Sequence, residues 1–415
     1  MEWSNLVFHP GNEELERFVE LGILAATLEI PLHFHVEGMR GTGKTTLIRA
    51  ARGRLPAIER ICGCLYNCRP ESPHCPDHSR AAGAMAREQV PMPFLEISHS
   101  AKVSTVAGSI DLGRLLSPDN PGAAVLPGTL PRSHRGIVFV DEINRLADTS
   151  PALVDVLLDA MGTKPGRVQI EETGLPVVEI PLNAGVWAAS NPDEEPGPLQ
   201  EIRKQLADRF DFAVRIDRPG RPEVVRSIMA AAQKAGTAGG PGFSSPAGIE
   251  RIRLDGRVED FLSEIYVRFS LESIRGIQAA RLGALLHAAR QGREVAGFAD
   301  LAAVLPAALR HRLEPPRMPE VLSALKNAGE EAKREQAARP AARDTDLRRE
   351  GEGKSYPALW RGLFRRMAGK NAVRNGRQSE AQSTHNQLRP GREYEEEKKK
   401  TAPAAIPAGK DGPDR

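Results

Sequence analysis

Between Gly38 and Thr45 the chain reads GMRGTGKT, which fits G-x-x-x-x-G-K-[ST]. Chemistry of this kind needs small residues, because successive main-chain N–H groups must turn inward and meet phosphate oxygens without side chains in the way. Gly38, Arg40, Gly41, Thr42, Gly43, Lys44, Thr45 and Thr46 are the candidate nucleotide contacts, with Lys44 reaching the β- and γ-phosphates and the Thr45 hydroxyl ligating Mg²⁺. Downstream, GIVFVDE ends an apolar run in two carboxylates: Asp141 suits the Mg²⁺ shell and Glu142 suits the polarisation of an attacking water. A further apolar run ends in Ser190-Asn191-Pro192, where Asn191 can orient the same water. A second constellation is sulfur-rich. Cys62, Cys64, Cys68, Cys75 and His78 give C-x-C-x₃-C-x₆-C-x₂-H, and four soft ligands in a short loop can surround one tetrahedral Zn²⁺. A redox-active or disulfide-forming loop and an iron–sulfur cluster are the competing readings.

These residues need a scaffold. Leu32 to Val36 (LHFHV) reads as a strand running into the glycine turn, and TTLIRAARGRL after it reads as a helix. Further strands are expected at Pro93 to Ile97, Gly136 to Val140, Gly185 to Ala189 and Phe212 to Ile216. Five such runs separated by helical or looped stretches imply an α/β fold with a mainly parallel sheet between helices. GRVQIEETGLPVVEI, within 166–182, alternates on both sides of a Thr-Gly turn and reads as a β-hairpin. Residues 1–232 form the expected nucleotide-binding domain, with a Cys-rich insert at 60–80, and 233–249 form a Gly/Pro/Ser-rich linker. Helical spacing then marks a small all-α domain at 250–325. Residues 326–415 read as a largely disordered basic tail holding one amphipathic island, Tyr356 to Lys370.

Composition narrows the function classes. The chain has 415 residues, 40% apolar and 27% charged, which suits a protein with a sizeable core. Its formal charge of +3 is too slight to argue for nucleic acid, and the basic excess sits in the tail: Glu331 to Arg415 holds 20 Lys and Arg against 13 Asp and Glu. No apolar run approaches the roughly 18 to 20 residues of a membrane span, because Glu29 and His33 interrupt the best candidate. The N-terminal residues have neither a basic nor an apolar leader region, so the expectation is a cytoplasmic protein.

The stretches GMRGTGKTTLIRA, HRGIVFVDEINRL, LVDVLLDAM, WAASNPDE and KQLADRFD, with the hairpin, follow the order and spacing of AAA+ ATPases of the helix-2-insert group. The chain closely resembles the ATPase (I) subunit family of magnesium chelatases, and less closely the related MoxR-type ATPases. The resemblance is dense over Phe8 to Arg226 and looser over Arg268 to Leu313. LPAIERICGCLYNCRPESPHC resembles that family's cysteine stretch, and VSTVAGSIDLGRLL, within 98–116, its helix-2 insert. It implies an AAA+ P-loop domain followed by a helical lid. By position, Asn191 matches sensor 1, Arg209 the arginine finger of a neighbouring subunit's site, and Arg275 sensor 2, with Arg281 available in a slipped register. Arg203 falls on a second arginine, although Lys204 departs from the usual Arg-Pro. Cys64, Cys68, Cys75 and His78 are the set that best follows the family's cysteines, leaving Cys62 spare.

What the resemblance implies is a ring-forming ATPase, hexameric by expectation, that binds ATP and Mg²⁺. It would drive metal insertion into a tetrapyrrole with a D-type subunit carrying an integrin-type metal-binding domain and a porphyrin-binding H subunit. A fusion with the D-type role is disfavoured, since Asp148-Thr149-Ser150-Pro151-Ala152 ends in Ala where D-x-S-x-S needs Ser. The alternative is a MoxR-like chaperone that remodels or metallates a partner protein. A DNA motor is argued against by Glu171, Glu172 and Glu179 on the hairpin, which would repel phosphate.

Overall fold

A computed structural model of the chain describes residues 3–79, 83–110, 125–162, 164–171, 177–233 and 252–338. Helix α1 (Glu13–Thr27) precedes β1 (Phe34–Glu37), whose carboxyl end opens into the glycine loop and then α2 (Lys44–Ala50). β2 (Ala57–Ile61) and β3 (Arg87–Pro91) flank the cysteine loop as an antiparallel ribbon, and β4 (Phe94–Ile97) follows. A single turn, α3 (Val103–Val106), leads to a second ribbon of β5 (Gly108–Ile110) and β6 (Val125–Pro127). After α4 (Thr129–Arg132) come β7 (Ile137–Val140), α5 (Ile143–Thr149) and α6 (Pro151–Ala160). The hairpin strands β8 (Gly166–Ile170) and β9 (Val178–Leu182) pair antiparallel as expected, and β10 (Gly185–Ser190) follows. The domain finishes with α7 (Leu199–Ile202), α8 (Lys204–Arg209), β11 (Phe212–Arg215) and α9 (Pro222–Gln233).

The main sheet has the order β11-β1-β10-β7-β4 and every pairing in it is parallel. Successive side chains of a strand point to opposite faces, and here both faces are covered. Phe34, Val36, Ile137, Phe139, Trp187, Ala189, Phe212 and Val214 feed one core with α1. Val138, Val140, Val186 and Ala188 feed a second core with α5, α6 and α8. This explains why the strands read as unbroken apolar runs. The five expected strands are found, each within two residues of its expected ends. The first core is close-packed at Gly22, where a Cβ would stand 2.5 Å from Trp187 Cζ2, so α1 reaches the sheet only with glycine there.

The helical domain comprises β12 (Arg253–Leu254), α10 (Gly256–Arg268), α11 (Arg275–Arg290), β13 (Val295–Ala296), α12 (Phe298–Leu309) and α13 (Met318–Ala338). It shares the first core: Leu286, Leu301, Val304 and Leu305 are fully buried in the cluster that holds Phe212 and Phe18. Arg17 donates to the Ala303 carbonyl at 3.0 Å and Arg310 donates to the Glu14 carboxylate at 3.0 Å, tying α1 to α12 and the residues after it. One boundary differs from expectation. Helix α13 continues through 326–338, because Val321, Leu325 and Ala332 place a buried stripe at helical spacing. The Thr173-Gly174 hairpin tip, the 111–116 part of the expected insert, all but the first residue of the 233–249 linker and the chain beyond 338, including the Tyr356 to Lys370 island, lie outside the described residues. Among the described residues, no helix is long and apolar enough to cross a membrane.

Candidate nucleotide site

The glycine loop sits at the carboxyl end of β1 and at the start of α2, where unpaired N–H groups and the helix dipole favour anions. Gly41 and Gly43 have φ of +78° and +90°, and the space a Cβ would occupy at either is open. Other residues would be strained there. The loop is closed at its base by Gly38, where a Cβ would stand 2.6 Å from the Ile216 carbonyl. Lys44 is buried and its Nζ donates to the carbonyls of Gly38 and, at 2.8 Å, Met39. Burial pulls its pKa down, while the Asp141 and Glu194 carboxylates pull the other way. Thr42 Oγ1 donates to the Met39 carbonyl at 2.8 Å and braces the turn. Arg40 and Thr46 are exposed, and Arg40 lies 3.6 Å from Glu194.

Asp141 and Glu142 follow the carboxyl end of β7, the strand two places from β1. Thr45 Oγ1 stands 3.2 Å from Asp141 Oδ2, a hydroxyl and a carboxylate side by side as a shared cation shell requires. With the Lys44 ammonium and the open loop, this donor set fits a magnesium-bound triphosphate. Glu142 adopts a left-handed φ of +53°, a conformation unusual for a residue with a side chain, directly before α5. Its Oε2 lies 3.2 Å from Arg145 and 3.5 Å from His99. Asn191 follows the carboxyl end of β10, and its Oδ1 accepts from the Asp193 amide at 3.2 Å. Asn144 donates to the carbonyls of Asn191 and Gly197, both at 3.2 Å, fixing the loop that carries Asn191 against α5. Neither Asn144 nor the arginines around these carboxylates stood out in the sequence. Arg49, for example, holds Glu96 at 2.9 Å and lies 3.7 Å from Asp141.

The arginines form a separate group. Asp211 N donates to the His33 carbonyl at 2.8 Å, so Arg209 lies just before the amino end of β11, which runs parallel and in register with β1. The glycine loop lies at the other end. A four-residue strand spans about 13 Å, so Arg209 and the loop lie at opposite ends of these neighbouring strands. Arg209 makes no hydrogen bond or ion pair among the described residues; its pKa is lowered by burial and by the Arg275 charge, against Asp208 and Asp159. Arg275, at the start of α11, pairs with Asp208 Oδ2 at 3.2 Å and so belongs to this group also. Arg281 lies further along the helix and pairs with Glu259 of α10 at 3.3 Å. Arg203 is exposed at the start of α8, and its neighbour Lys204 pairs with Glu272 at 2.8 Å.

Arg312 holds the group together. Its side chain is 4% exposed. All five of its N–H donors are used: Nε to Asp208 Oδ1 at 3.1 Å, Nη1 to the carbonyls of Asp211 and Ala308 at 3.1 and 2.8 Å, and Nη2 to those of Asp208 and Phe210 at 2.8 and 2.6 Å. The loop around Arg209 is therefore wrapped on one guanidinium. Sequence reasoning missed this residue, because satisfying carbonyls a hundred positions away leaves no local pattern.

Cys64, Cys68, Cys75 and His78 converge, with their ligating atoms all within 4.8 Å of one another, whereas Cys62 is exposed and outside the group.

Comparison with known proteins adds relatives. The AAA lid domain family matches residues 259–333. A magnesium-chelatase 38 kDa subunit of Acidiphilium rubrum is 32% identical over 332 residues, spanning 75% of this chain and 92% of the relative. That of Cereibacter sphaeroides is 30% identical over 295 residues, spanning 67% and 83%. Among solved structures, a chain from the complex between subunits BchI and BchD of magnesium chelatase covers 76% of this chain and 97% of its own, with a TM-score of 0.44 and 23% identity.

Proposed function

We propose that this chain, which belongs to the magnesium-chelatase 38 kDa subunit family, is the ATP-hydrolysing motor of a metal chelatase and turns over only when copies assemble head to tail. The observation that carries this reading is the division of the site: the glycine loop, Thr45, Asp141, Glu142 and Asn191 at the carboxyl ends of the parallel strands, and Arg209 and Arg275 at their amino ends. No single copy can apply both halves to one nucleotide. A head-to-tail contact between copies joins them, and a repeated head-to-tail contact that closes is a ring.

In such an interface Lys44 leaves the Gly38 and Met39 carbonyls to meet the terminal phosphates, and Thr45 with Asp141 holds the metal. Glu142 accepts the proton of the attacking water, and Asn191 orients that water. Arg209 and Arg275 of the neighbour offset the charge that grows on the transferring phosphoryl group, a role worth about 10³ to 10⁵ in rate. Bound Mg²⁺ supplies the remaining charge neutralisation. The cargo on this reading is Mg²⁺ for insertion into a tetrapyrrole, with the stroke passed to a D-type partner subunit. Hydrolysis by the purified chain should therefore rise with protein concentration. Lys44→Ala should abolish nucleotide binding, while Glu142→Gln should keep it and lower kcat by about 10² to 10⁴. Parental turnover in Glu142→Gln would overturn the assignment.

A further inference from the structure

The geometry points to a closed structural Zn²⁺ site formed by Cys64 Sγ, Cys68 Sγ, Cys75 Sγ and His78, whose metal organises a third core apart from the nucleotide site. Three thiolates placed about 2.3 Å from a common centre are separated by about 3.8 Å in a tetrahedron. Cys64 and Cys75 sulfurs are 4.0 Å apart, His78 Nδ1 is 3.1 Å from Cys75 Sγ, and no ligand atom in the group is beyond 4.8 Å from another. Three sulfurs and one imidazole nitrogen fill all four positions of a tetrahedral ion, leaving none for substrate, which is the pattern of structural rather than catalytic zinc.

The surroundings of Cys68 suit a metal-bound sulfur. Its sulfur receives the backbone amides of His74 and Cys75, both at 3.3 Å, and stands 3.2 Å from His74 Nδ1. Two backbone N–H groups aimed at one sulfur do little for a neutral thiol, a weak acceptor, but orient and stabilise a sulfur that ligates a metal. His74 is in turn stacked on His134 at 3.9 Å between ring centroids, which anchors the loop to the residues after α4.

What the metal would hold is visible in the packing. Cys64, Cys68 and Cys75 are buried together with Ile61 of β2, Tyr66, Val125 of β6, Ile170 of β8 and Ile180 of β9. Tyr66 donates to the Val125 carbonyl at 3.3 Å and Asn67 to the Arg132 carbonyl at 2.7 Å. This core is small, with Tyr66 its sole aromatic side chain among the described residues, yet three two-stranded ribbons meet on it. Apolar burial on that scale is weak support for so many strands, and a metal clip supplies what it lacks.

The test uses the full chain purified without chelators, with metal content measured by mass spectrometry. About one zinc per chain is expected. Replacement by Co²⁺ should give intense visible bands of a tetrahedral thiolate complex. Cys62→Ser should keep full zinc, while Cys68→Ser and His78→Ala should weaken zinc binding by well over about ten-fold. Should Cys68→Ser fail to fold, chelation of the parental protein decides the matter by hydrogen exchange. Exchange should rise in β2, β5, β6, β8 and β9 and stay unchanged in the glycine loop, with ATP binding retained. Stoichiometric iron with visible charge-transfer absorption, a Cys64–Cys75 disulfide in the active protein, or a metal-free folded chain whose thiols all react freely would each overturn the zinc site.

Discussion

Arg312→Met leaves the aliphatic stem in place and removes one buried charge. Its side chain is 4% exposed and serves one carboxylate oxygen and four carbonyls, so the substitution leaves the Asp208, Asp211 and Ala308 carbonyls without this donor, while the Phe210 carbonyl keeps His311 Nε2 at 3.1 Å. A buried acceptor that loses its donor costs about 1 to 3 kcal/mol, and breaking a buried charge pair from one side costs about 3 to 5 kcal/mol. These overlap, so the expected loss of folding stability is about 3 to 5 kcal/mol, read as a lower urea midpoint with unchanged slope. Arg312→Lys keeps the charge but has three donors and no planar fork, so its loss should be intermediate. Function should fail selectively. With its loop unpinned, Arg209 is misplaced, and ATPase activity in the folded fraction should approach that of Arg209→Ala. Affinity for a fluorescent ATP analogue should be unchanged, because the glycine loop is at the other end of the strands. The double variant Arg312→Met, Arg209→Ala should hydrolyse no slower than Arg209→Ala alone, as residues acting through one group are not additive. A folded Arg312→Met with parental turnover, or one that loses ATP binding, would refute the positioning role.

Two further outcomes follow from the helical domain. Burial alone would raise the Asp300 carboxyl, but His287 at 2.7 Å, Arg293 at 2.7 Å and the Gly297 amide at 3.0 Å bring it down to about 2. Its folded pKa lies below the unfolded value, so it contributes about 2 kcal/mol above pH 4 that is lost as pH falls towards 2. Asp300→Asn should remove that amount at pH 7 and flatten this part of the acid limb; an unchanged urea midpoint at pH 7 would show that the pair contributes nothing. Truncation after Ala338 should leave basal hydrolysis intact, whereas truncation after Lys326 removes the turns that bury Ala332 and its carbonyl bond from Arg257 at 3.2 Å. Equal melting temperatures for the two truncations would contradict the packing of α13.

Much of this was legible in the sequence wherever the physical signal is local. Strands buried on both faces must be apolar throughout, which is why IVFV and GVWAA gave the sheet away. Ligand spacing is local too, and Cys64, Cys68, Cys75 and His78 lie together as their positions suggested, with Cys62 apart. The β2–β3 ribbon escaped because AIERI and REQVP carry charges that pair across the strands, Arg60 directly opposite Glu88 and Arg87 diagonally to Glu59, each at 2.8 Å. Helix α13 escaped because its stripe is partly alanine, which composition cannot tell from a solvated tail. Arg312 and Asn144 act on carbonyls brought near only by the tertiary fold.

The central claim, that each site is completed by a second copy, is tested most directly by mixing Lys44→Ala with Arg209→Ala. Each alone should be nearly inactive. In equal mixture a working interface needs the glycine loop of an Arg209→Ala copy beside the arginine of a Lys44→Ala copy, which random head-to-tail assembly supplies at about a quarter of interfaces, whatever the ring size. Recovery of about a quarter of parental ATPase activity is the expected result. No recovery above the separate variants, with co-assembly demonstrated by native mass spectrometry, would contradict an arginine supplied from the neighbouring copy.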